Sequence, residues 1–213
     1  MGSYADDALF MSRNNIEYVE LISDDGKSKV MVIPAWQGRV MTTSAAGDEG
    51  DSYGWINYSF IKKRQIDLQF NPVGGEERFW LGPEGGVFSL YFRQGEKQIY
   101  KNWKVPPVLD IEAFKIQSQS KNCICLTKEG CLTNACGTTF YLNIKRTISL
   151  LDINEFAASF NLEFPKDIKA VAYKSDNQIT NIGNESWNKE TGLISVWMLS
   201  MFNPTSATTV FIP

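Results

Sequence analysis

Short segments with apolar residues at every second position, separated by turn-forming residues, recur through most of this chain. Glu17-Tyr-Val-Glu-Leu-Ile-Ser23 and Lys29-Val-Met-Val-Ile-Pro34 flank Asp24-Asp25-Gly26, a combination that reads as a β-hairpin. Gly38 to Ala45 reads as a third strand, and segments 87–92, 109–118, 122–127, 138–150, 155–162, 169–173 and 193–201 continue the pattern. Trp55 to Lys62 fits a strand or one helical turn, and Tyr4–Ser12 fits a short helix. A period of two puts alternate side chains on opposite faces of a sheet. The expected fold is therefore all-β and antiparallel, a sandwich or barrel. Neither a Pro/Ser-rich linker nor an internal repeat breaks the chain, so 1–213 is read as one domain. Ala207-Thr-Thr-Val-Phe-Ile-Pro213 looks like mid-strand, which suggests a fold incomplete at this end and an edge open to a homo-oligomer.

Charge and composition narrow the partners. A formal net charge of −3 lacks the basic footprint that nucleic acid requires. No stretch reaches membrane-spanning length, so no membrane partner is expected. Met1 to Asn14 carries acids where a signal peptide carries bases. The protein is cytoplasmic if that N-terminus is native, and periplasmic or extracellular if a leader was removed.

The absence of histidine removes Ser-His-Asp and Cys-His nucleophilic schemes and imidazole zinc sites from this chain. Acid–base work would fall to carboxylates, tyrosine, lysine or cysteine. The four cysteines, 123, 125, 131 and 136, begin with a Cys-x-Cys pair that fits zinc knuckles poorly. They read as reduced thiols packed as small hydrophobes, with Cys123 and Cys125 on one strand face. Neither metal nor cofactor is expected.

Candidate chemistry concentrates in Gly74-Gly-Glu-Glu-Arg-Phe-Trp-Leu-Gly-Pro-Glu-Gly-Gly86. Glycines let a backbone turn sharply and approach other groups closely. The charges between them cannot be buried without partners. Arg78 offers a planar fork of donors to a ligand, or else ties the loop to Glu76, Glu77 or Glu84. Glu77 and Glu84 are the candidate carboxylate pair, since two neighbouring carboxyls acquire separated pKa values. Each also has a plainer role, accepting backbone N–H groups at tight turns. Trp80 and Trp55 present faces on which a sugar ring could stack, or fill a core between sheets. Arg39, at a strand start, and Asn57 and Asn71, as paired donor–acceptors, complete the set.

Several phrases carry a resemblance: Pro34-Ala-Trp-Gln-Gly-Arg-Val-Met-Thr-Thr43, Tyr53-Gly-Trp-Ile-Asn57, the run Phe70–Gly86, and Thr191–Phe202. Together they resemble an uncharacterised bacterial family, common in Bacteroidetes, that is similar to the galactose mutarotase-like proteins. The resemblance implies an antiparallel β-supersandwich whose concave face binds carbohydrate. Mutarotases use a histidine acid and a late carboxylate base. Gln69 stands where the resemblance would place histidine, and the base would lie beyond the matched region.

Three functional readings are open. In the first, the chain binds carbohydrate: Arg39, Trp55, Asn57, Asn71, Glu77, Arg78, Trp80 and Glu84 line a cleft, Arg78 and Asn71 bind hydroxyls, Trp80 stacks, and Glu77 or Glu84 orients the ring. In the second, Glu77 and Glu84 are the acid and base of an epimerase, lyase or hydrolase. In the third, the glycine segment is a structural corner and the chain is an oligomerisation module.

Overall fold

The first hairpin forms around a left-handed Gly26, whose φ of 72° closes the turn. In the computed structural model, which describes residues 2–165 and 167–212, its arms are β1 (Val19–Ile22) and β2 (Lys29–Ile33). β3 (Arg39–Ser44) adds to β2, giving an antiparallel sheet in the order β1-β2-β3. Every residue of β2 and β3 is buried, because both faces of this sheet are covered. One face packs on α1 (Tyr4–Arg13) through Tyr4, Met11, Met31, Ile33 and Met41. Helix α1 starts at a capping box in which Ser3 Oγ accepts from the Asp6 amide and Asp6 accepts from the Ser3 amide.

Segment 55–62 takes the helical option: α2 (Tyr58–Ile61) is a single turn. β4 (Arg78–Gly82) comes after the glycine pair and joins β3 through a bridge between Val40 and Glu77. After α3 (Pro107–Asp110) comes a meander of β5 (Lys115–Gln119), β6 (Cys123–Thr133), β7 (Thr139–Leu151) and β8 (Ala172–Asn181), antiparallel throughout. β9 (Ser195–Leu199) returns to pair with β4. The largest core cluster draws on β1 to β4, β6 and β7, so the strands of all three sheets share one apolar interior.

The register of β7 carries a charge into that interior. Its inward positions are Phe140, Leu142, Ile144, Arg146, Ile148 and Leu150, an apolar row broken by one guanidinium. β8 pairs with it along its whole length and turns Tyr173, Ser175, Asn177 and Ile179 to the same side.

Several expectations need correction. Residues 87–92 form turns and bends instead of a strand; the Ser89 amide donates to the Gly86 carbonyl and the Ser89 hydroxyl to the Glu84 carbonyl, which curls the chain back on itself. Segment 155–162 is mostly helical: α4 (Ile153–Ser159) is nucleated by Asp152, whose carboxylate accepts from the Asn154 and Glu155 amides. Segment 109–118 splits between α3 and β5. The strand expected at 207–213 is not formed over its described residues, where Val210, Phe211 and Ile212 are exposed; Pro213 lies outside the described residues.

Candidate functional site

β4 divides the candidate residues between its two faces. On one face, Arg78 is buried and donates to Asp110 Oδ1 at 2.8 Å and to the Leu109 carbonyl at 3.0 Å. Its guanidinium lies 4.1 Å from the Trp80 ring centroid and 5.0 Å from that of Phe70, two rings set edge to face, so it contacts aromatic faces as well as being ion-paired. Asn71 completes the cluster, with its backbone and side-chain N–H groups both donating to Asp110 Oδ2 at 3.0 and 2.7 Å. The Trp80 indole donates to Glu84 at 2.8 Å, and Trp80 itself is buried against Tyr91 and Trp197. Asn71, Arg78, Trp80 and Glu84 therefore do come together, around an Asp110 that the sequence had not singled out. Trp80 is core and offers no open stacking face. Asn71 and Asp110 also line a cavity of about 420 Å³ bounded by Trp36 and Val73.

Glu77 lies on the other face. Its Oε1 accepts from Arg146 at 2.8 Å and its Oε2 from Ser175 at 2.9 Å, and the same Arg146 guanidinium sits 5.3 Å from the Phe79 ring. Glu77 is thus tied to Arg146 and Ser175 on one side of β4, and Glu84 to the Trp80 indole on the other.

A different carboxyl stands beside Glu77. Glu76 is buried and receives the Thr43 hydroxyl at 3.0 and 2.9 Å on its two oxygens, and among the described residues it has no ion-pair partner. Burial pushes its pKa up to about 7, outweighing the Thr43 hydrogen bonds that pull it down. The Tyr173 phenol on β8 faces both carboxyls; burial first and then the Glu76 and Glu77 charges raise its pKa. Next along the same side, Asn177 donates to Ser175 Oγ at 3.2 Å and lies against Met198 of β9. Among the described residues, Arg146 Nε and Asn177 Oδ1 are buried with no hydrogen-bond partner, as are the Nε atoms of Arg39 and Arg78 and the Tyr4 hydroxyl. Buried polar groups are nearly always satisfied, and such exceptions call for a reason.

The remaining expected residues serve the frame. Asn57 caps α2, accepting from the Phe60 amide at 3.1 Å and donating to the Pro72 carbonyl at 2.9 Å. Trp55 is partly exposed, and its backbone is held between Met201 and Gly75. Arg39 is fully buried, donates to the Gly74 carbonyl at 2.6 Å, and forms no ion pair among the described residues. Burial and the nearby Arg78 charge lower its proton affinity. Gly75 is obligatory for this arrangement, since a Cβ there would lie 2.5 Å from Arg39 Cδ.

The cysteines are unpaired: Cys125 is buried, Cys123 is half-buried and bonded by Ser149, and Cys131 and Cys136 are exposed. No cluster of three metal-ligating side chains occurs among the described residues. No helix among them is long and apolar enough to cross a membrane.

Arg146, Tyr173, Ser175 and Asn177 were absent from the sequence-based set, yet Arg146 left a signal. Its place in the alternation Phe140-x-Leu142-x-Ile144-x-Arg146-x-Ile148 puts it inside. Burying an arginine is costly without polar partners, and Glu77 supplies Arg146 with one.

The model of a family of unknown function (DUF6786) matches residues 2–213, and the chain belongs to that family. No curated protein and no solved structure matches it significantly.

Proposed function

We propose that this member of the family binds carbohydrate where the inward side of β8 meets Glu77 and Arg146. The observation that carries this reading is a buried Arg146–Glu77 pair bordered by the Ser175 hydroxyl and the Asn177 amide, with a donor on Arg146 Nε and an acceptor on Asn177 Oδ1 left unpartnered among the described residues. A sugar hydroxyl both donates and accepts, so neighbouring hydroxyls would supply what each group lacks. Ser175, Tyr173 and the Glu76 carboxyl add further donors and acceptors, and Met198 adds an apolar contact. The same proposal extends to the architecture, in which the three antiparallel sheets are parts of a supersandwich similar to the galactose mutarotase-like proteins.

Titration calorimetry against a panel of mono- and oligosaccharides tests the reading. Saturable binding of at least one sugar is expected, weakened about tenfold or more in Asn177→Ala, a loss of about 1.4 kcal/mol. Absence of heat with every sugar, or unchanged affinity in both Asn177→Ala and Ser175→Ala, sets it aside.

One observation favours a second reading, acid–base catalysis on the bound sugar. Glu76 holds a proton near neutrality while its neighbour Glu77 faces a guanidinium, the kind of contrast that separates acid from base. On this reading Glu76→Gln retains sugar binding and abolishes turnover.

A further inference from the structure

A cleft of about 460 Å³ lies between the loop after Tyr91, the approach to α3 and the end of β6; it shares a wall with the Trp80 cluster through Tyr91 but has no lining residue in common with the Glu77–Arg146–Asn177 side. Its floor is apolar and buried, formed by Leu90, Phe92, Val105 and Leu132. Arg93 and Lys104 stand at its mouth, both exposed, and none of the described lining residues is acidic. Leu68, which is 84% exposed, overhangs it. The loop that supplies both cations carries Arg93, Lys97, Lys101 and Lys104 against the single acid Glu96, in a chain whose net charge is −3. The cations are thus concentrated here against the overall balance.

An apolar floor and a cationic mouth select a ligand with an apolar body and a negative end. Polar sugars would leave the floor unused, and a small inorganic anion would gain nothing from Leu90, Phe92 and Leu132. The volume is within the range of small-molecule sites, roughly 300–1,000 Å³. From this geometry we infer that the cleft binds an amphipathic monocarboxylate, with the carboxylate between Arg93 and Lys104 and the hydrocarbon on the Leu90–Phe92–Leu132 floor. The lysine and arginine stems would cover the chain while their heads stay in water. This site is separate from the proposed carbohydrate site and does not depend on it.

Cys131 lines the same cleft and is an exposed free thiol, which provides a reporter. Decanoate, with decanol as the uncharged counterpart, is the probe, and the full chain is used. Decanoate is expected to bind saturably and at least about tenfold more tightly than decanol. It should also slow iodoacetamide alkylation of Cys131. The double variant Arg93→Gln/Lys104→Gln, altered only at exposed positions, should bind decanoate about as weakly as decanol and lose the protection of Cys131. No decanoate binding, equal affinity for the acid and the alcohol, or full protection of Cys131 in the double variant would overturn the inference.

Discussion

Glu76 and Glu77 are consecutive, yet among the described residues only Glu77 has a guanidinium partner: Arg146 Nη2 lies 2.8 Å from its Oε1, while Glu76 accepts from the neutral Thr43 hydroxyl and faces the Tyr173 phenol. Nothing in the local sequence hints at this asymmetry. It arises because β7 delivers its one inward charge beside Glu77, and β3 delivers a neutral hydroxyl beside Glu76.

A pH dependence results. The Glu76 carboxyl, ordinarily titrating at 4.5, titrates at about 7 in the folded protein. Between those values the folded chain holds a proton that the unfolded chain has released. Stability contributed by the protonated form is therefore complete below about pH 4.5 and is lost as pH rises through 7. The cost above that window is on the order of 3 kcal/mol. Glu76→Gln, which keeps an acceptor for Thr43, should melt about 5–10 °C above wild type at pH 8 and show little difference at pH 5. A gap of the same size at both values would remove Glu76 as the titrating group.

Arg78 is a structural residue in this arrangement. Arg78→Ala leaves Asp110 buried against Asn71 with no cation and should cost about 3–5 kcal/mol. Denaturant unfolding measures this directly. A loss below about 1 kcal/mol would mean that Asp110 finds water or another partner.

Gly74 should tolerate no side chain. Its φ is 92°, and a Cβ would lie 2.3 Å from the Trp55 carbonyl oxygen, a backbone atom that cannot swing away. Gly74→Ala is expected to cost about 3 kcal/mol or more, on backbone strain and steric overlap together. Gly86→Ala, at a φ of 82° but with open space around it, should cost only the conformational part. Equal melting temperatures for the two variants would contradict the steric explanation.

Where apolar alternation was strong, the strands were legible from sequence alone: β1, β2, β3, β7, β9 and the first half of β6 lie close to the segments that pattern marks. β8 was mostly missed for a physical reason. Its inward residues Ser175 and Asn177 are polar, so the strand carries little hydrophobic period after Tyr173. The feature that hid the strand is the one that makes it a candidate site. The glycine segment was readable as a demanding corner, and Arg78, Asn71, Trp80 and Glu84 do converge there. That Glu77 faces the other way depended on the bridge to Val40 and the arrival of Arg146 from a strand 69 residues later, contacts that no local pattern encodes.

The most direct test of the proposed binding face is the side-chain Nε–H resonance of Arg146, measured by NMR while a sugar identified by calorimetry is titrated. This resonance is expected to shift saturably with the calorimetric affinity, together with the Asn177 side-chain amide, because the ligand supplies the acceptor and the donor that the two groups otherwise lack. Saturable sugar binding that leaves both resonances unmoved would contradict the proposed site.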